Sequence, residues 1–221
     1  MGCGNGDFGS TGFEYEKFKF SEEQTKEIIC LTKKLEISLE RLVLICLVKS
    51  IFSLTGKKEI IIEMISNGRF NHPYPTDLPI SHTVGELCLI YPVLISEPDS
   101  MLPVGQFLNH INQQIQDVPS VLSFTSFLRS GFYSKYNHPS IFFNFIGDLD
   151  IHPNIKLLKE DIGSVCPPVV PSDSIQFSLL NLQSFISEDS LHLEFGYYCH
   201  LFSSHFIKSL VDKTCFYLLP C

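Results

Sequence analysis

The chain has 221 residues, enough to bury one sizeable core or two small ones. Apolar residues make up 44%, which excludes disorder as the default state, and a formal net charge of −8 argues against a phosphate-binding surface. The longest apolar stretch, residues 42–48, stops at Lys49, too short to span a bilayer, so neither a nucleic acid nor a membrane is expected as a partner.

The first 12 residues, MGCGNGDFGSTG, are Gly-rich and read as a flexible segment. They carry no basic region followed by an apolar one, hence no secretory leader is expected. Glu14 to Phe20 reads as a strand. Ser21-Glu22-Glu23-Gln24 is a capping box, in which Ser21 accepts from the first helical turn and Gln24 reaches back. A helix then runs to about Lys34, with Ile28, Leu31 and Leu35 at helical spacing. Ser38 is a second N-cap, and Leu39 to Leu54, apolar nearly all round, is a buried helix that Gly56 ends. Glu59 to Ser66 reads as a strand with a β-branched run at Ile60, Ile61 and Ile62.

Asn67-Gly68 turns the chain, and the two prolines near Tyr74 mark a loop. Thr83 to Ile95 reads as a long apolar strand. Met101 to Gln116 is an amphipathic helix, and Ile141 to Ile146 a short strand closed by Gly147. Residues 148–173, rich in proline, read as a loop. Ile175 to Ile186 and Leu191 to Tyr198 form an antiparallel pair joined through Ser187-Glu188-Asp189-Ser190, and His205 to Leu218 is the last helix. Strands alternating with helices, plus one hairpin, predict an α/β fold: a mixed sheet flanked by helices.

The eight cysteines form no C-x-x-C pair and no zinc-spaced cluster with histidine, so no metal site is expected. Several lie in apolar runs and read as buried free thiols of a reducing, cytoplasmic compartment. The histidines form no i,i+4 or triad-like set, and Ser203 before His205 reads as a helix cap.

Four stretches, in order, resemble the C-terminal half of the condensation and epimerization domains of nonribosomal peptide synthetases. Residues 56–69, ending in Gly68-Arg69, resemble a passage closing on Glu-Gly-His-Gly-Arg. Residues 82–93, HTVGELCLIYPV, resemble the Arg-Thr-Val-Gly…Tyr-Pro-Val stretch of the epimerization subtype. Residues 142–147, FFNFIG, resemble Phe-Asn-Tyr-Leu-Gly. Residues 191–202 resemble the family's last strand and its exit into the final helix. The match covers roughly residues 15–218 and assigns residues 13–221 to the C-terminal lobe of such a domain.

The resemblance implies a single chloramphenicol-acetyltransferase-like lobe, one of two forming a V. It implies that carrier-protein-tethered aminoacyl or peptidyl thioesters enter the channel between the lobes on phosphopantetheine arms. No cofactor is then bound directly. The partners are a peptidyl carrier protein and either a histidine-bearing N-terminal lobe or, where that lobe is missing, a second copy of the chain. Epimerization needs a base for the α-proton and an acid on the opposite side. In the family, a His-His-x-x-x-Asp-Gly motif of the other lobe and the Glu of Glu-Gly-His-Gly-Arg supply them.

This sequence has no His-His pair, and Ile65 stands at the Glu position with Asn67 at the His position. Glu63, two residues earlier and on the same strand face, is the candidate substitute; its plainer reading is a surface or edge carboxylate. His82, in place of the family Arg, is a second candidate base, its plainer reading a capping or surface residue. Arg69 matches an Arg that pairs with the Asp of the histidine lobe, a contact suited to a bidentate guanidinium. Tyr91 and Asn144 match positions that shape the channel. The expected activity is that of a partial domain, inactive alone; the alternative is a non-catalytic carrier-binding or scaffold module.

Overall fold

The computed structural model describes residues 12–66, 89–98, 102, 104–116, 141–150 and 178–220. Edge strand β1 (Phe13–Lys19) leads into α1 (Glu22–Leu35). Here the capping box forms as the sequence predicts: Gln24 N–H donates to Ser21 Oγ at 3.2 Å, and Ser21 N–H to Gln24 Oε1 at 3.0 Å. Ser38 caps α2 (Leu39–Thr55) by accepting from Arg41 N–H, and Gly56 ends it in the left-handed conformation at φ 66°. Next come β2 (Glu59–Ser66), β3 (Leu89–Ser96), α3 (Val104–Gln116), β4 (Ile141–Asp148), β5 (Leu180–Ser187), β6 (Ser190–Tyr198) and α4 (Ser204–Leu218).

The six strands form one sheet in the order β1-β6-β5-β4-β2-β3. The central trio β5, β4 and β2 is parallel; β3 and β6 run antiparallel to their neighbours. This is the mixed sheet the alternating pattern predicts. Because strand side chains alternate, each strand offers one set of residues to each face. Ile60, Ile62 and Met64 of β2, Val93 and Ile95 of β3, Ile141 and Phe143 of β4, Leu180 and Leu182 of β5, and Leu193, Phe195 and Tyr197 of β6 are all buried. They pack with Leu42 to Val48 of α2, Ile111 of α3, and Ile207, Leu210 and Val211 of α4 in a single core. The helices therefore cover one face of the sheet.

Several boundaries differ from the sequence reading. α3 is described from Val104; Met101 and Pro103, at the start of the helix the sequence predicts, lie outside the described residues. Gly147 does not close β4. The strand runs on to Asp148, with a register shift between Phe145 and Gly147, whose φ of 109° only glycine tolerates easily. The hairpin turn is tighter than four residues: Glu188 and Asp189 alone connect β5 to β6, both at φ 54°. Residues 83–88 and 175–177, read as parts of strands, lie outside the described residues, as do residues 1–11. Buried thiols are found at Cys46 and Cys215, whereas Cys30 and Cys199 are exposed. No helix among the described residues is long and apolar enough to cross a membrane.

Edge strand β3 is blunted in two ways. Gln114 of α3 donates from Nε2 to Ser96 O at 2.9 Å and accepts from Ser96 N–H at 2.8 Å, occupying that residue's outward backbone groups. Two positions away in register sits Leu94, and two further Pro92, which has no N–H to offer.

Candidate functional site

The sheet face away from the helices is divided. Toward β5, β6 and β1 it is polar: Gln183, His192, Glu194, Lys17 and Lys19 share it, and Lys17 meets Glu194 at 2.8 Å. His192 stacks on Phe185, with ring centroids 4.9 Å apart, and its Nε2 lies 3.3 Å from Ser187 O. Burial, ahead of any neighbouring charge, lowers its pKa from the ordinary histidine value. Toward β3, β2 and β4 the face is apolar, with Ile61, Ile65, Pro92 and Phe142 half-buried and Ile90 and Leu94 exposed by 45% and 48%. Ile146, beside the β4 bulge, is exposed by 49%.

Glu63 stands in the middle of that apolar half. Its register partners are Pro92 on β3 and Phe142 on β4, and Ile61 and Ile65 flank it along β2. It is not an edge or surface carboxylate: β2 is an interior strand, and Glu63 is only 7% exposed. Among the described residues it is the one acidic or basic side chain in the buried class. A signal for this was present in the sequence. A lone Glu within Ile-Ile-Ile-Glu-Met-Ile interrupts a continuous apolar run, the pattern of an interior strand.

Asn144 lies half-buried on the same face of β4, one diagonal step from Glu63. Tyr91 does not join them. Its register position opposite Met64 puts it on the helix-covered face, packed against the core. There its hydroxyl pKa is raised by burial, while the nearby Arg41 charge opposes that rise. Burial also lowers the Arg41 pKa and raises that of Glu40, and Arg41 Nη1 is buried without a hydrogen-bond acceptor. The start of α2 and the start of β3 thus meet in a half-buried polar cluster that sequence reasoning missed, since nothing local links residues 50 positions apart. Arg69 and His82 lie outside the described residues. Of the histidines, His110, His200 and His205 are exposed, and no group of three potential metal ligands assembles among the described residues.

No family model matches the chain. A linear gramicidin synthase polypeptide of Brevibacillus parabrevis is 24% identical over 186 residues, which is 79% of this chain and 2% of that protein. Among solved structures, the epimerization domain from the third module of tyrocidine synthetase B aligns with a TM-score of 0.74 at 16% identity, over 97% of this chain. The chain has the fold of a condensation/epimerization domain lobe. The first condensation domain of the calcium-dependent antibiotic synthetase aligns with a TM-score of 0.61 at 10% identity, over 93% of this chain. The condensation/epimerization fold seen here is one chloramphenicol-acetyltransferase-like lobe, and the chain spans 48% and 43% of the lengths of those two structures.

Proposed function

We propose that the chain supplies one half of a condensation/epimerization-type site of nonribosomal peptide synthesis. It acts on aminoacyl or peptidyl thioesters held by a peptidyl carrier protein on phosphopantetheine, and only when a histidine-bearing lobe completes the site. It binds no cofactor of its own; the phosphopantetheine arrives with the carrier. The observation that carries this reading is the alignment of 97% of the chain with an epimerization domain. Among the described residues no helix covers the face bearing Glu63 and Asn144, which favours it as the side turned to a channel.

The chemistry explains why one half does not suffice. Inverting an α-carbon requires a base on one side and an acid on the other. Ile65 cannot move a proton, and the sequence offers no His-His pair. The chain by itself is expected to leave an α-deuterated aminoacyl-phosphopantetheine carrier unchanged, and to exchange the label once a histidine-bearing lobe is added. Washout at the no-protein rate with the lobe present sinks the epimerizing reading, and absence of peptide product from paired aminoacyl carriers sinks the condensing one. Carrier binding without exchange then favours the alternative, a non-catalytic carrier-binding or scaffold module, for which Ile65 already speaks.

A further inference from the structure

We infer that two copies of the chain join through β1, pairing antiparallel about Glu16 into one continuous sheet. This goes beyond the proposed thioester function and does not depend on it. The phase of the β1–β6 ladder decides which backbone groups are free. Phe20 N–H donates to Leu191 O at 2.9 Å, and Cys199 N–H donates to Gly12 O at 2.8 Å. Gly12 and Phe20 therefore stand at hydrogen-bonded pairs, and so do the even-numbered residues between them, because such pairs alternate along an antiparallel ladder. Phe13, Tyr15, Lys17 and Lys19 point their N–H and C=O groups outward, and among the described residues no hydrogen bond reaches those groups. The opposite edge is not equivalent: at β3, Gln114 occupies Ser96, and Pro92 has no N–H. An open edge templates another strand. Of the two edges of the described sheet only β1 offers an unbroken row, so the copies meet β1 to β1, and such an isologous pair closes at two chains.

The side chains select one register. Centred on Glu16, all 7 residues of β1 find partners, and the outward residues fall at hydrogen-bonded positions. Tyr15, 43% exposed, stands opposite the second copy's Lys17, and Phe13 opposite its Lys19. Lysines on an edge repel an incoming strand when their charges are open. Here Lys17 meets Glu194 at 2.8 Å and Lys19 meets Glu188 at 3.1 Å within the chain, which leaves the methylene stems to cover the aromatic rings opposite. On the other face Glu14 stands opposite the second copy's Phe18, and Glu16 opposite its counterpart, one like-charge pair. A slip of two residues one way sets Lys17 against Lys17; the other way sets Glu14 against Glu16 twice. Either slip also shortens the ladder.

The test is sedimentation velocity over a concentration series, with Ile90→Lys and Leu94→Lys present throughout so that association through those exposed residues does not obscure the readout. A dimer is expected. Glu16→Gln, which removes the like charge, should tighten it several-fold. Lys17→Pro should weaken it at least about tenfold, because proline removes an outward N–H and spares the bonds to β6. A circular dichroism melt reports whether that variant folds, and amide hydrogen exchange followed by NMR needs no proline variant. The amides of Tyr15 and Lys17 should gain protection as concentration rises, while those of Glu16 and Phe18 are protected at every concentration. Monomers throughout, even with Glu16→Gln, overturn the inference. So does a dimer that Lys17→Pro leaves intact, or one in which the Tyr15 and Lys17 amides exchange as fast as in the monomer.

Discussion

Stability should fall steeply in alkali, and one tyrosine makes the cause separable. Tyr197, on the helix-covered face of β6, is 3% exposed, and its hydroxyl donates to Glu14 Oε2 at 2.9 Å. Burial first, then that hydrogen bond and the Glu14 charge, push its pKa up from 10.0 to about 12. An acid whose folded pKa is raised keeps its proton in the folded state after the unfolded chain has released it. The contribution to stability is therefore complete below pH 10 and is lost as the pH climbs through 12. Solvent at the exposed Glu14 end screens part of the effect, so the loss from this group is about 1 kcal/mol by pH 11 and less beyond it than the whole shift implies. Cys46 and Cys215, both pushed up to about 12 by burial, add their own losses in the same direction from pH 9 upward.

A difference measurement isolates the tyrosine. Urea unfolding of wild type and Tyr197→Phe is followed by far-ultraviolet circular dichroism at pH 8 and pH 11. At pH 8 the variant should be less stable by about 1 kcal/mol, the worth of the lost hydrogen bond. At pH 11 the gap should shrink by about 1 kcal/mol, because the variant has no phenol to ionise. A gap that stays constant across the range would mean that Tyr197 titrates like an exposed phenol, and would refute the argument from burial.

The remaining predictions concern local features. Replacing Glu188-Asp189, both at φ 54°, with Asn-Gly should raise unfolding free energy by about 1–2 kcal/mol, since those residues suit a two-residue hairpin turn; an unchanged urea midpoint would count against it. Ser21→Ala should cost about 1 kcal/mol through loss of the capping box, read from the same unfolding curves. A thiol reagent at pH 8 should modify Cys30 and Cys199 in the folded protein but reach Cys46 and Cys215 only after urea is added, as peptide mapping by mass spectrometry would show. The exposed Ile90 and Leu94 should drive self-association of the isolated chain, and Ile90→Lys with Leu94→Lys should shift its size-exclusion profile toward the monomer; a wild type that is monomeric at high concentration contradicts this.

Local chemistry made much of the fold legible. Ser21, Ser38 and Gly56 punctuate the helices because capping depends only on residues within one turn, and these boundaries fall within a residue or two of the sequence reading. The hairpin was equally readable from two apolar runs around a polar turn. The harder questions were which strands neighbour which, and which face each side chain meets. The run around Leu89 to Ile95 is apolar on both faces, so no alternation in the sequence separates buried Val93 and Ile95 from exposed Ile90 and Leu94. The apolar run around Glu63 hints at an interior strand, but only the strand order, which places β2 between β3 and β4, decides it.

The sequence by itself therefore determined the kinds of element, their ends and the family they resemble, because propensity, capping and motif order are written along the chain. The tertiary structure alone decided that Glu63 and Asn144 share the face that no described helix covers while Tyr91 faces the helices beside Arg41. Side-chain direction follows from pairing register and sheet order, and both are set by contacts between residues far apart in sequence.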